Sequence, residues 1–265
     1  MHDRSPAVNN TLPLARRDVI ARRLDDGNSV VAADLAAEFD ISEDAIRRDL
    51  RALAAEGRCR RVYGGALPLS PASTPIEVRI GERQESKRML AVAAIPLIQP
   101  GELLFLDNGS TNLVLANMLP TGMGISVATN SVAIAAAVLA RRDIPLTLVG
   151  GTVNAEIGGC IDVAATRAVQ QLNVDRAFLG ACAVSLGEGV AAFDADDAAF
   201  KRIVMEVSRH TVVMSTTEKL QTRARYRVAP LDGLDALVVE HDAAIHAPDL
   251  IAEAATTIVT ASASN

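Results

Sequence analysis

The sequence contains no tryptophan, and five phenylalanines and two tyrosines bring its aromatic content to only 3%. A protein that reads bases or ligands by stacking needs more such side chains, so an aromatic cage or stacking platform is excluded. Cysteine is scarce too. Cys59, Cys160 and Cys182 are odd in number, far apart and without CxxC spacing, which leaves neither a disulfide framework nor a cysteine zinc site. The four histidines have no metal-ligand spacing, and no P-loop or GxSxG elbow occurs. No metal and no cofactor are expected. Apolar runs such as 132–140 stop well short of a membrane span. Residues 1–10 have no apolar stretch of the signal-peptide kind. A reducing cytoplasmic location with no membrane partner is the expectation.

What is present suits a folded chain. At 265 residues with 49% apolar and 22% charged side chains, the chain can bury a small domain and a medium one, and general disorder is excluded. The net charge of −6 argues against a generic nucleic-acid binder, yet the charge is unevenly placed. Residues 1–66 carry 11 arginines and 11 acids. Within 47–61, six arginines (Arg47, Arg48, Arg51, Arg58, Arg60, Arg61) face only Asp49 and Glu56. Such a local basic footprint is what phosphate binding requires, and the whole-chain charge does not test for it. A solvated helix face is the other reading of the same charges.

The N-terminal region reads as three short helices. Pro13 suits a first helical turn, and Leu14, Ile20 and Leu24 mark a helix ending near Gly27. Ser29 is a candidate cap for a second helix over 31–38, and Ser42 for a third ending near Glu56. On the third, Ile46, Leu50 and Leu53 share one face, so Arg47, Arg48 and Arg51 project away from the core. Two short helices joined by a tight turn, the second with outward arginines, are the geometry of a helix-turn-helix. Residues 58–63 read as a hairpin closing at Gly64-Gly65, a wing that would bring Arg60 and Arg61 to the DNA backbone.

This segment resembles the DeoR family of bacterial transcriptional regulators. The resemblance rests on Arg16-x3-Ile20-x3-Leu24 followed by Ser42-x2-Ala45-Ile46-Arg47-Arg48-Asp49-Leu50, and continues through Leu53, Glu56, Gly57 and Tyr63-Gly64-Gly65-Ala66. Ala45 departs from the family's threonine, Tyr63 from a common histidine and Cys59 from a common aliphatic residue. The resemblance implies double-stranded operator DNA as partner, contacted by Ser42, Ala45, Arg47, Arg48, Arg51, Arg60, Arg61 and Tyr63. Asp49 is read instead as a structural partner of a nearby arginine, because a carboxylate facing phosphate is repelled. Helix-turn-helix proteins read paired half-sites, so a homodimer or homotetramer is expected.

Beyond a proline-containing linker over 67–77 the rhythm changes. Short apolar segments at 103–107, 125–129, 146–150, 177–180, 211–215, 236–240 and 257–260 alternate with helical segments at 85–98, 111–118, 131–141, 160–171, 196–208 and 248–255. This pattern predicts an α/β domain with a mostly parallel sheet and helices on both faces. The expected division is a winged helix-turn-helix over 12–66 and an effector domain over 78–260. Small and hydroxyl residues gather after the apolar segments: Asp107-Asn108-Gly109-Ser110-Thr111, Thr129-Asn130-Ser131, Gly150-Gly151 and Gly180-Ala181-Cys182. At the carboxyl ends of parallel strands they would offer backbone N–H groups and hydroxyls to an anion. Ordinary helix capping accounts for any one of them alone.

These loops also resemble the DeoR family, whose sensor domain shares its fold with ribose-5-phosphate isomerase and glucosamine-6-phosphate deaminase. The resemblance implies a phosphorylated sugar or related metabolite as effector, held by Asp107, Asn108, Gly109, Ser110, Thr111, Thr129, Asn130, Ser131, Gly150, Gly151, Lys87, Lys201 and Lys219. Ser215 departs from an aspartate frequent in relatives, and Cys182 reads as a lining residue. Asp107, Asp194, Asp196, Asp197 and Lys201 could also supply the groups an isomerase needs, but fold kinship does not establish activity. Sensing without catalysis is the expectation. A sugar-phosphate isomerase with a DNA-binding head and a DNA-binding regulator without a ligand pocket are the alternatives.

Overall fold

A computed structural model of the chain describes residues 13–25, 30–56, 58–62, 64–68 and 74–263. The chain divides into two compact units, Met1–Ser70 and Pro71–Asn265.

In the first unit, helix α1 (Pro13–Asp25) is followed by a two-residue strand β1 (Val30–Val31), α2 (Ala32–Phe39), α3 (Glu43–Ala55) and the hairpin β2 (Cys59–Val62) and β3 (Gly65–Pro68). Ile20, Leu24, Leu35, Phe39, Ile46, Leu50 and Leu53 close one core between the helices, as their helical spacing predicts. Ser42 caps α3 by accepting from the Ala45 N–H at 3.3 Å. Ser29 and Gly27 lie outside the described residues. Val31, not a hydroxyl residue, immediately precedes α2, and no side chain caps that helix. β1 pairs with β3 at Val30–Ala66 and Val31–Gly65, so this corner is fixed by sheet pairing. The ladder of β2 and β3 runs on to Pro68. The expected linker is therefore shorter at both ends, because Leu67 and Pro68 belong to the wing and Ile76 opens a helix. Proline is tolerated at the end of a strand that needs no further N–H.

The second unit is built on seven strands: β4 (Leu103–Leu106), β5 (Ser126–Thr129), β6 (Leu146–Leu148), β9 (Val174–Leu179), β12 (Ser208–Ser215), β14 (Ala236–Val239) and β15 (Thr257–Thr260). All seven apolar segments of the sequence are strands of this one sheet, in the order β15-β14-β12-β9-β4-β5-β6. Every pairing within it is parallel. The five inner strands bury both faces, while the edge strands β6 and β15 are partly exposed. Phe105, Ala177, Leu179 and Val213 join one core, while Leu104, Leu106, Phe178 and Val212 join the other. This is the doubly covered state that near-continuous apolar strands call for.

Helices α4 (Ile76–Gly81), α5 (Gln84–Ala94), α6 (Ser110–Met118), α7 (Val132–Arg141), α8 (Val163–Val169), α9 (Ala195–Glu206), α10 (Ala243–His246) and α11 (Pro248–Glu253) surround the sheet. Two smaller sheets are added, a hairpin β7 (Val153–Asn154) with β8 (Gly159–Cys160), and β10 (Ala183–Ser185), β11 (Gly189–Ala192) and β13 (Tyr226–Ala229). The helix expected from residue 160 starts later, because Gly159–Cys160 pairs with β7 and Asp162 then caps α8 through the Ala165 N–H at 2.9 Å.

The strand order places the functional region. After β4 the chain builds outward through β5 and β6, then returns to the other side of β4 for β9. The loops leaving β4 and β9 therefore diverge at their carboxyl ends, and this switch point is where open parallel sheets leave a crevice.

Candidate functional site

The first unit presents a basic face. On α3, Arg47, Arg48 and Arg51 are exposed, while Ile46, Leu50 and Leu53 are at most 1% exposed. Arg47 is engaged along its own helix, with Glu43 at 2.7 Å and Asp44 at 3.4 Å. Exposed pairs of this kind contribute little and yield to a phosphate. Arg48 and Arg51 have no ion-pair partner among the described residues, and Arg61 is exposed on β2. Ala45 is half-buried in the first turn of α3, beside the exposed Ser42. Tyr63 and the side chain of Arg60 lie outside the described residues; the Arg60 backbone pairs with Leu67. Asp49 is turned inward. It accepts from Arg16 Nε at 2.7 Å, and both side chains are buried. The pair ties α1 to α3, so Arg16 and Asp49 set the angle at which α3 is offered.

The second unit gathers charge at the switch point between β4 and β9. Asp107, fully buried after β4, accepts the Gly180 N–H at 2.9 Å and pairs with Lys201 at 3.1 Å. Gly180 is required there: a Cβ would stand 2.6 Å from the Asn108 carbonyl oxygen. Lys201, on α9, also donates to Asp197 and to Asn108 Oδ1 at 3.3 Å. Burial works against its ammonium, but Asp107 and Asp197 outweigh this and hold it above the ordinary lysine range. Lys201 is thus a charged tie between α9 and the β4 loop, formed over 94 residues of sequence from Asp107.

The adjoining loops are tied in the same way. The Asn108 N–H donates to Asn130 Oδ1 at 3.1 Å, and Asn130 Nδ2 donates to the Cys160 carbonyl at 3.1 Å. Thr129 Oγ1 donates to the Leu106 carbonyl at 2.6 Å and accepts the Ser131 N–H at 3.1 Å. Ser131 caps α7. These three residues hold the loops together and have their side-chain partners already. Gly150 and Gly151 are exposed beyond β6. A Cβ on Gly151 would stand 2.4 Å from Asp162 Oδ1, so its place is set by the α8 cap. The structure gives this pair no bond to the Asp107–Lys201 cluster.

Ser110 and Thr111 behave differently. They form the first turn of α6 behind Gly109, which stands at the cap position with no side-chain cap bond. Both are more than nine-tenths buried, yet neither hydroxyl has a hydrogen-bond partner among the described residues. Asn112 beside them is committed, donating to the Asp107 and Phe178 carbonyls at 2.9 and 2.8 Å. Among the described residues Asp107 Oδ1 is the one enclosed polar side-chain atom without a partner; the Ser110 and Thr111 oxygens keep contact with solvent and are open to an acceptor at the start of α6.

Three further cations of this unit, Arg79, Lys87 and Lys219, lie within electrostatic reach of one another. Lys87, buried on α5, donates to the Arg79 carbonyl and to the Glu82 carbonyl at 2.6 Å. Burial and the nearby Lys219 push its ammonium down to about 8. Lys219, also buried, donates to the Ala181 carbonyl at 3.1 Å. Burial pushes it down as well, with Arg79 and Lys201 adding to the effect. Arg79, on α4, donates to the Thr74 carbonyl at 2.9 Å and lies within electrostatic reach of Cys182, Asp197 and Glu82. The Cys182 thiol is pushed up by burial and by Asp197, the wrong direction for a nucleophilic thiolate. Lys201 has two carboxylates, whereas the hydrogen bonds of Lys87 and Lys219 go to neutral carbonyls. The nearby Glu218 acts on both ammonium groups and Glu82 on Lys87, without outweighing burial.

Comparison with known proteins agrees with this division. The DeoR C terminal sensor domain matches residues 82–241, and the DeoR-like helix-turn-helix domain matches residues 16–72. The chain belongs to the DeoR family. Among curated DeoR-type relatives it is 29% identical to a putative aga operon transcriptional repressor of Escherichia coli O157:H7, over 85% of each chain. It is 28% identical to the glycerol-3-phosphate regulon repressor of Escherichia coli K12, over 80% of this chain and 84% of that one. Ribose 5-phosphate isomerase A from Neisseria gonorrhoeae aligns with 53% of this chain and 55% of its own at 19% identity and a TM-score of 0.40. So distant a likeness carries no argument about activity. Among the described residues, no cluster of His, Cys, Asp and Glu could hold a metal ion, and no helix is long and apolar enough to cross a membrane.

Sequence reading of the DeoR-type sensor missed Arg79. It sits on a six-residue helix, shorter than a periodicity window can detect. Pro75 before it and Glu77 in its first turn were the only signals available.

Proposed function

We propose that this DeoR-family protein is a transcriptional repressor of a carbohydrate-related operon whose operator affinity is set by a phosphorylated sugar or related metabolite. The effector's phosphate is assigned to the first turn of α6, with Ser110 and Thr111 as donors and Lys87 and Lys219 as counter-charges. One observation carries this reading: two hydroxyls without a protein partner stand in the first turn of α6, while Lys87 on the adjoining α5 and Lys219 donate to carbonyls. The names of its relatives, which include a glycerol-3-phosphate regulon repressor, support the class of effector. Arg48, Arg51, Arg61 and the helix cap at Ser42 are assigned to the operator, read by a homodimer or homotetramer. Asp49 is assigned to the fold of the head.

The site suits sensing better than turnover. Lys201 occupies both Asp107 and Asp197, and Asp194 is used as the α9 cap, accepting the Asp196 and Asp197 N–H groups at 2.9 Å. Asp107 Oδ1 has no partner among the described residues, so the sensing reading rests on the match to the DeoR sensor domain and not on an absence of carboxylates. Thermal shift against phosphorylated sugars and their unphosphorylated parents tests the reading. A ligand at 100 times its dissociation constant adds about 2.7 kcal/mol, and only the phosphorylated member of a pair should do so. Equal response to both members removes the phosphate assignment, and isomerisation of an aldose or ketose phosphate above background removes the sensing-only reading.

A further inference from the structure

One end of the main sheet is left open. β6 pairs with β5 and ends the strand order, and among the described residues no strand lies on its other side. The Val127 N–H donates to the Pro145 carbonyl at 2.9 Å, and the Val149 N–H donates to the Thr129 carbonyl at 2.8 Å. Alternate residues of a strand bond to the same neighbour, so the N–H and C=O groups of Leu146 and Leu148 point to the free edge. Sheets normally protect such an edge with charge, proline or a bulge. Leu146-Thr147-Leu148 has none of these. The opposite edge strand, β15, exposes Thr257 and Thr260 instead.

The surface beside β6 is apolar. Helix α7 has no charged side chain before Arg141, and Val132, Ala136 and Leu139 recur at the helix period on its exposed side. Leu139 is 69% exposed. Leu146 packs into the core that Ile134 and Val138 of α7 also join. Leu148, two residues on and 52% exposed, therefore lies on the α7 face of the sheet. At the start of α7 the Val132 N–H donates to the Gly158 carbonyl at 3.2 Å, which brings the β7–β8 hairpin and its exposed Val153 alongside. The Thr152 N–H donates to Asp162 Oδ2 at 2.8 Å, which sets the exposed Val163 near Val153. Five of the ten large apolar side chains exposed in the second unit fall within 132–163. Such concentration marks an interaction surface, where single scattered residues would not.

We propose that this edge is the seam between two copies of the chain: β6 pairs antiparallel with β6 of the second copy across a two-fold axis, and the exposed side of α7 packs on its counterpart. The seam rests on the paired reading of the operator proposed above and gives it a surface. The occupant follows from what the surface offers. Outward backbone groups are matched by another strand, and a helix face without charge offers DNA nothing to bind. A two-fold axis lets one patch supply the strand and the apolar face to itself. Leu146 of each copy then stands opposite Leu148 of the other, and the two sheets run on as one.

The test uses the full-length chain. Sedimentation velocity is run on the wild type, on Leu139→Glu and Leu148→Lys, and on Ile245→Glu, a control at an exposed apolar residue of α10. Hydrogen exchange of the Leu146 and Leu148 amides is followed in the wild type at high and low protein concentration. The wild type should sediment as a dimer or tetramer. The two-fold axis puts each introduced charge into the seam twice, and like charges brought together at an interface are strongly unfavourable. Both seam variants should therefore raise the dissociation constant about tenfold or more, taking a dimer to monomer or a tetramer to dimer, and Ile245→Glu should not. The two amides should exchange faster on dilution. A wild-type oligomer unmoved by either seam variant, with exchange at 146 and 148 independent of concentration, overturns the seam, gives this face to another partner and leaves the paired operator reading standing. A monomeric wild type overturns both. The exchange measurement needs no substitution, so a variant that fails to fold does not remove the test.

Discussion

Replacing Ser110 and Thr111 together with alanine separates recognition from stability, and the structure fixes the sign of each effect. If these residues were helix caps, their loss would cost about 0.5–2 kcal/mol of stability. They are not caps: Gly109 holds the cap position of α6 and no side chain bonds the open N–H groups. Neither hydroxyl has a protein partner and neither oxygen is an enclosed atom, so the substitution breaks no bond within the protein. The effector-free double variant should therefore melt close to the wild-type temperature. Effector binding should weaken. Each hydroxyl that donates to a phosphate oxygen contributes about 1.5–3 kcal/mol, so one lost bond weakens binding about tenfold or more and two weaken it at least about 150-fold. Operator affinity without effector should be unchanged, because the head is a compact unit of its own. The phosphorylated ligand found by thermal shift is titrated calorimetrically into both proteins, and both are melted. A lowered melting point with unchanged effector affinity would refute the assignment.

Three other outcomes follow from named contacts. Lys87 is depressed to about 8, and a phosphate draws it back to the charged form, so effector affinity should fall about tenfold between pH 7 and pH 9. Proton uptake on binding should appear as a dependence on buffer ionisation heat at pH 8.5, and a flat profile would exclude Lys87 from the site. The same shift has a defined sign in stability: between about pH 8 and 10.5 the unfolded chain binds more protons at this residue, so its contribution rises with pH. Asp49→Ala removes the carboxylate from the buried Arg16 guanidinium and should destabilise the head by about 3 kcal/mol, less if Asn is used instead, as read in denaturant melts of the full chain. In filter binding, Arg48→Ala and Arg51→Ala should each flatten the log-log salt slope by about 0.9 if they contact phosphates. Glu43→Gln, which frees Arg47, should tighten binding; unchanged slopes would move the DNA contacts off α3.

Local patterns in the sequence determined much of this protein. Seven apolar runs named the seven strands, because a strand buried on both faces must be apolar along its length. The spacing of Ile46, Leu50 and Leu53 placed the arginines of α3 outward, because a helix has a fixed period. Asp49 was readable as a structural residue from its charge alone, although its partner Arg16 on another helix was not. Short elements escaped: β1 has two residues and α4 has six, too few for a period to register, and the β10–β11–β13 sheet needs β13, remote in sequence from the β10–β11 hairpin, as its third strand. The proposed anion site was half legible. Ser110 and Thr111 stand in a recognisable strand-to-helix loop, and Ser131 caps its own helix, a local bond. That Thr129 and Asn130 spend their side chains on neighbouring loops, and that Gly151 answers to Asp162, could be decided only by the tertiary structure, since each depends on a partner farther along the chain. Charge was divided in the same way. Asp197, four residues before Lys201 on α9, is a partner the sequence shows, whereas Asp107 reaches Lys201 only through the strand order, and Lys87 and Lys219 are left on carbonyls. Burial strengthens every such difference, and burial is set by the whole fold.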